Sequence, residues 1–153
     1  MSGDLADAEW SVFIAKLENA EEEFVRGRPA AFQALWSRAD DVTLCGGFGG
    51  VERGNQNVTD RLSWVSKKYS DGTRTREEIS RMVGADFAYL VQTEVIRSRV
   101  ASQAEPSTQE LRARWCFAAR RTAGASCIAT QICKWRQSRR NDRHSQRKYR
   151  DLT

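Results

Sequence analysis

Between Asp7 and Arg26 the residues Trp10, Phe13, Leu17, Ala20 and Phe24 return at steps of three and four, with Glu9, Lys16, Glu18 and Glu21 to Glu23 at the other positions. That spacing predicts an amphipathic helix with one buried stripe. Arg28-Pro29 punctuates it, and Pro29 suits the first turn of a second short helix that turns Phe32, Leu35 and Trp36 inward and stops before Asp40. Val42 to Cys45 is short and β-prone. It runs into Gly46-Gly47-Phe48-Gly49-Gly50, where glycine permits positive φ and a sharp corner. In a third helix Val58, Leu62, Val65 and Tyr69 share a face flanked by Trp64, with Asn55 or Asn57 as its cap and Asp71-Gly72 as the turn that ends it. Arg74 to Val83 and Phe87 to Val100 read as two antiparallel strands separated by Gly84-Ala85-Asp86, and a further turn falls at Glu105-Pro106-Ser107. The order α-α-β-α-β-β implies an α+β domain with helices packed on one face of a curved sheet.

Charge divides the chain near Arg112. Residues 1–111 hold 13 Lys and Arg against 18 Asp and Glu, whereas residues 112–153 hold 12 against 2, so the net charge of +5 comes from the tail. Arg139-Arg140, Arg143, Arg147-Lys148 and Arg150 would bind nucleic-acid phosphates non-specifically, as a consequence of charge. The tail also carries Cys116, Cys127, Cys133 and His144, whose spacing matches no zinc knuckle, and no metal site is expected. Its apolar residues show no regular period of 2 or 3.6 on inspection of the whole segment.

The length, 153 residues, fits one domain. No apolar run approaches a membrane span, and MSGDLADAEW lacks the basic start and apolar stretch of a signal peptide, so the expected location is cytoplasmic with no membrane partner. Cys45 stands alone in the front, which excludes a disulfide framework there and agrees with a reducing compartment. GGFGG has neither the Walker spacing nor the GxGxxG fingerprint, so it reads as a structural turn.

The stretch ALWSRADDVTLCGGFGGVERG, the helix with RLSWVSKKYSDGT and the strand DFAYLVQTEV together resemble the SnoaL-like group of the nuclear transport factor 2-like superfamily, over roughly residues 8–112. The resemblance implies a curved antiparallel sheet closed by three helices into a cone around an apolar pocket. It further implies a homodimer formed through the sheet, a small hydrophobic ligand and no cofactor. Its last two strands commonly read like VxxVFRREDGxWRLVHRHAD, and residues 112–153 contain nothing of the kind. On this basis the expected domain spans residues 1–112, with its last two strands missing or scrambled and residues 113–153 a disordered basic tail.

The genetic code suggests why. Taking the third base of each codon with the first two of the next, Trp115-Cys116 must give Val, Trp135-Arg136 gives Glu or Ala, Cys127-Ile128 gives His or Tyr, and Gln131-Ile132 gives Asp or Asn. With permitted third bases, Trp115 to Gln137 accommodates VFRREEDGWRLVHRHADLQVEA: a strand, an Asp-Gly turn and a second strand. A one-base frame change near Arg112 to Arg114 is therefore expected.

The resemblance implies a pocket walled by Trp10, Phe13, Trp36, Phe48, Trp64 and Tyr89, each of which also suits ordinary core packing. Gln92, Thr93 and Glu94 are polar candidates on one strand; alternation sends neighbours to opposite faces, so one of them is expected to face the pocket, and Gln92 is taken as that residue. Asp40-Asp41 invites a general-base reading, but adjacent residues point apart, and a turn role before the strand is favoured. The place of the ketosteroid isomerase base in the superfamily is held by Gly46 or Gly47. Three function classes follow: a small-molecule-binding domain, an isomerase, cyclase or hydrolase acting on a small hydrophobic substrate, and a domain with a nucleic-acid-binding tail. Resequencing the coding DNA of the source organism from the Glu105 codon onward is expected to show a single-base difference that restores VFRREEDGWRLVHRHAD. An unchanged reading frame there would contradict the frame change.

Overall fold

The helices and strands follow one another as α1 (Ser2–Val25), α2 (Ala30–Ala34), β1 (Thr43–Cys45), β2 (Val51–Arg53), α3 (Asn55–Ser66), β3 (Tyr69–Val83), β4 (Phe87–Val100), β5 (Ser107–Thr122) and β6 (Ala125–Gln137). This computed structural model describes the backbone of residues 2–84, 87–100, 105–122 and 125–137, and side chains within residues 8–84, 87–99 and 105–118. The sheet runs in the order β2-β1-β6-β5-β4-β3. Every pairing is antiparallel except β1 with β6, which run parallel with Leu44 opposite Ile132. The architecture is α+β, with the helices against the concave face.

The stripe expected on α1 is buried at Trp10, Leu17, Ala20 and Phe24, and Val25 joins it. Glu21 is buried too, contrary to its assignment to the polar face: it lies four residues after Leu17 and three before Phe24, in the middle of the stripe. Helix α1 ends through Gly27 at φ 85°, with Gly27 N donating to Phe24 O and Arg28 N to Glu23 O, so the stop is glycine chemistry ahead of Pro29. At that end Arg28 donates to Glu23 and holds its carboxyl down to about 2.

Two local expectations are corrected. Gly54, at φ 83°, is the N-cap of α3; Asn55 Nδ2 instead donates to Ser37 O and Asn57 Nδ2 to Arg53 O. Tyr69 belongs to β3, and Asp71-Gly72 forms a bulge inside that strand, with Asp71 at φ 50°. Val51 to Arg53 adds a strand after the glycine corner that the sequence pattern did not reveal.

The sheet continues past Leu111, where the last two strands were expected to be missing. Along β5, Gln109, Leu111, Ala113, Trp115 and Phe117 are buried and face Ile96, Glu94, Gln92, Leu90 and Ala88 of β4. Their strict alternation is a half-buried strand's signature. It was hidden because the arginines at 112 and 114 occupy the solvent-facing positions between them, which makes the segment look like a charged tail. The backbone of β6 pairs with β5 from Ala125 to Gln137. Residues 138–153, including His144 and the arginine-rich end, lie outside the described residues, as do the side chains of Cys127 and Cys133.

Gly72 is required by close approach. A Cβ built there would lie 2.1 Å from Val25 O and 2.8 Å from Val25 Cβ, so β3 runs directly against the end of α1. Gly72→Ala is expected to lower stability by about 2 kcal/mol or more in urea unfolding, by prying these elements apart.

Candidate functional site

A cavity of about 50 Å³ lies between the helices and the sheet, room for roughly three or four waters. Helices α1 and α2 contribute Phe24, Val25 and Phe32; α3 contributes Leu62 and Val65; the sheet contributes Leu44, Ile96 and Leu111. The glycine corner forms one wall with Gly46, Gly47 and half-buried Phe48. A Cβ at Gly47 would sit 3.3 Å from Leu111 Cδ2, so the absence of a side chain there preserves the space.

Polar groups enter this apolar wall at a few places. Glu21 of α1 and Arg74 of β3 form a buried ion pair, and Arg74 also reaches Glu94 of β4, with Nη2 3.4 Å from Oε1. Arg74 faces Ile96 in register, which places Glu94 on the diagonal. Burial works against the Arg74 charge, but the Glu21 and Glu94 carboxylates outweigh it and hold the guanidinium above its ordinary value. The network continues as Gln92 Nε2 donates to Glu94 Oε1 at 2.8 Å, Arg76 donates to Gln92 Oε1 at 3.2 Å, and Arg76 pairs with Glu18 of α1. On the far side, Tyr69 donates its hydroxyl proton to Gln109 Oε1 at 3.0 Å.

Of the residues proposed for the pocket from sequence, Phe48 lines this cavity. Trp10 and Phe13 instead pack on Phe117, and Trp36 on Phe32 and Trp115, as core. Trp64 is 45% exposed, edge-on to Phe48, with Arg61 and Lys68 over its ring. Tyr89 lies in the strand between inward Ala88 and Leu90, and its hydroxyl meets Ser80 Oγ at 3.4 Å. Gln92 is fully buried and touches the cavity only through Glu94 and Arg74. Alternation brings both Gln92 and Glu94 inward, while Thr93 stays half-buried between them. Asp40 and Asp41 are exposed in the turn before β1.

Sequence reading missed Glu21, Arg61, Arg74, Tyr69 and Gln109. Glu21 and Gln109 were readable from periodicity, whereas Arg74 in the run Thr73-Arg74-Thr75-Arg76 looks like any solvated strand. Among the described residues no cluster of three or more His, Cys, Asp or Glu forms a metal centre.

The arrangement of a helix pair, a short hairpin, a third helix and a long meander around one cavity also occurs in solved structures. An NTF2-like family protein from Streptomyces avermitilis, described as a candidate dehydratase, superposes with a TM-score of 0.67 at 16% identity, covering 87% of this chain and 99% of that one. The chain has the NTF2-like cone fold. A ketosteroid isomerase-like protein from Erwinia carotovora atroseptica matches at a TM-score of 0.64 and 14% identity, over 84% of this chain and 95% of that one. The hexachlorocyclohexane dehydrochlorinase LinA, type 2, matches at 0.64 and 14%, over 88% of each chain. No protein-family model and no curated protein matches the chain. No helix among the described residues is long and apolar enough to cross a membrane. In this fold Gly46 and Gly47 are in the cavity wall, and the carboxylate beside the cavity comes from α1.

Proposed function

We propose that this chain is a SnoaL-like member of the NTF2-like superfamily that binds a small, mostly apolar molecule in the cone cavity. The observation that carries the reading is the cavity itself, with apolar walls drawn from all three helices and the sheet and a small number of fixed polar groups. The similarity in fold to a dehydrochlorinase of a compact chlorinated hydrocarbon and to a ketosteroid isomerase-like protein supports a ligand of that general character. Trp10, Phe13 and Trp36 serve the core through their ring contacts, and of the aromatics expected at the pocket Phe48 is the one that would meet the ligand.

A catalytic reading is favoured by one feature. Glu21 is the only carboxylate among the described cavity-lining residues, and a desolvated carboxylate beside an apolar ligand suits proton abstraction. In that reading the reaction belongs to isomerase, cyclase or hydrolase chemistry, and Arg74 holds Glu21 in place.

The homodimer belongs to the same proposal. Ile79, Met82 and Phe87, each about half exposed, leave apolar surface at the β3–β4 end of the sheet. The protein so described works in the cytoplasm without a cofactor.

Titrating cyclohexanol or toluene into protein with labelled methyl groups tests the cavity. Saturable shifts are expected at Leu44, Leu62, Val65, Ile96 and Leu111, and Leu111→Phe should weaken binding at least tenfold. Shifts confined to other residues would contradict the proposal.

A further inference from the structure

The polar groups of the cavity divide into those that satisfy one another and those that do not. Arg74 is matched by two carboxylates, and Tyr69 by the Gln109 carbonyl oxygen. Two groups remain. With Oε1 accepting from Tyr69, the Gln109 amide Nε2 donates to no described residue, although Gln109 is 93% buried at the cavity wall. Arg61 donates from Nη2 to Gly49 O at 2.7 Å, but its Nε is buried without a hydrogen-bond partner. No carboxylate among the described residues lies within ion-pair distance of Arg61, and Glu52, which also approaches Gly50, stays outside it.

The glycine corner is shaped around this guanidinium. A Cβ at Gly46 would come 3.7 Å from both Nε and Nη2, and one at Gly50 3.9 Å from Nη2. On its other side the guanidinium carbon sits 4.4 Å from the Trp64 ring centre, a contact that holds its plane. Arg61 is thus a fixed cation at the cavity wall, and Gln109 a fixed donor in the same wall.

Both unmatched groups donate, and one carries a positive charge. A ligand that satisfies them must accept hydrogen bonds and carry negative charge, while its remainder meets Phe24, Leu62, Val65, Ile96 and Leu111. We infer that the cavity takes a small apolar carboxylic acid, short-chained or compactly branched, whose carboxylate pairs with Arg61 and accepts from Gln109. The inference rests on the cavity reading above and names its substrate class. A planar guanidinium recognises a carboxylate in a way that a neutral alcohol or amide does not reproduce.

The test compares isobutyrate with isobutyramide, nearly equal in shape, by calorimetry or methyl-shift titration at pH 7 on the unmodified protein and on Arg61→Gln. Isobutyrate is expected to bind at least tenfold more tightly than the amide to the unmodified protein. Arg61→Gln should bring the two within about twofold, with most of the loss falling on isobutyrate. Equal affinities in the unmodified protein would overturn the role of Arg61 while leaving the apolar cavity standing. An equal loss for both ligands in Arg61→Gln would also overturn it, because Arg61 would then act only by bracing the glycine corner. If neither ligand, nor the neutral apolar probes, bound at the cavity, the cavity reading would fall with it.

Discussion

One guanidinium, that of Arg74, is buried where the first helix crosses the sheet, and two buried carboxylates converge on it. Removing a charge from water is expensive, and the arrangement is tolerable only because Glu21 and Glu94 sit on opposite partners, one on the helix and one on the neighbouring strand. Arg74 therefore sets the distance between α1 and β3–β4. Gly72, two residues earlier, sets it again by steric contact with Val25. The cavity opens just beyond these two constraints, and its width follows from them.

Geometry elsewhere supports the same space. Strand β6 lies between β1 and β5, so the glycine corner that follows β1 reaches the cavity only because β6 carries it there. Trp115 and Phe117 stack at 6.0 Å and extend the core under Trp36 and Trp10, which keeps those tryptophans in packing roles. Phe48, with glycines on both sides, joins Phe24, Phe32 and Tyr69 as an aromatic of the cavity wall.

Much of the fold is readable in the chain because long periodic segments leave few choices: α1, the third helix and the strands from Arg74 to Val100 emerge from apolar spacing alone. The strand through Trp115 was obscured by the arginines at its outward positions, which match the composition of a basic tail while preserving the alternation underneath. Less of the site is readable. Glu21 sits in the apolar stripe by strict helical spacing, yet a glutamate is ordinarily placed on the solvated face, and its partner Arg74 is more than fifty residues away. A buried ion pair between distant elements leaves no local pattern, since each charge alone looks solvated. The aromatic residues are weak guides to a pocket for the opposite reason: large rings mark the core first, and this cavity lies where a glycine and a leucine leave room.

A double-mutant cycle of Glu21→Gln and Arg74→Met, read by urea unfolding, tests the joint between helix and sheet most directly. The buried pair should show a coupling of roughly 2–3 kcal/mol, with each single substitution more damaging than half of the double. Additive losses, with a coupling near zero, would contradict the role of Arg74 as the residue that fixes α1 over the cavity.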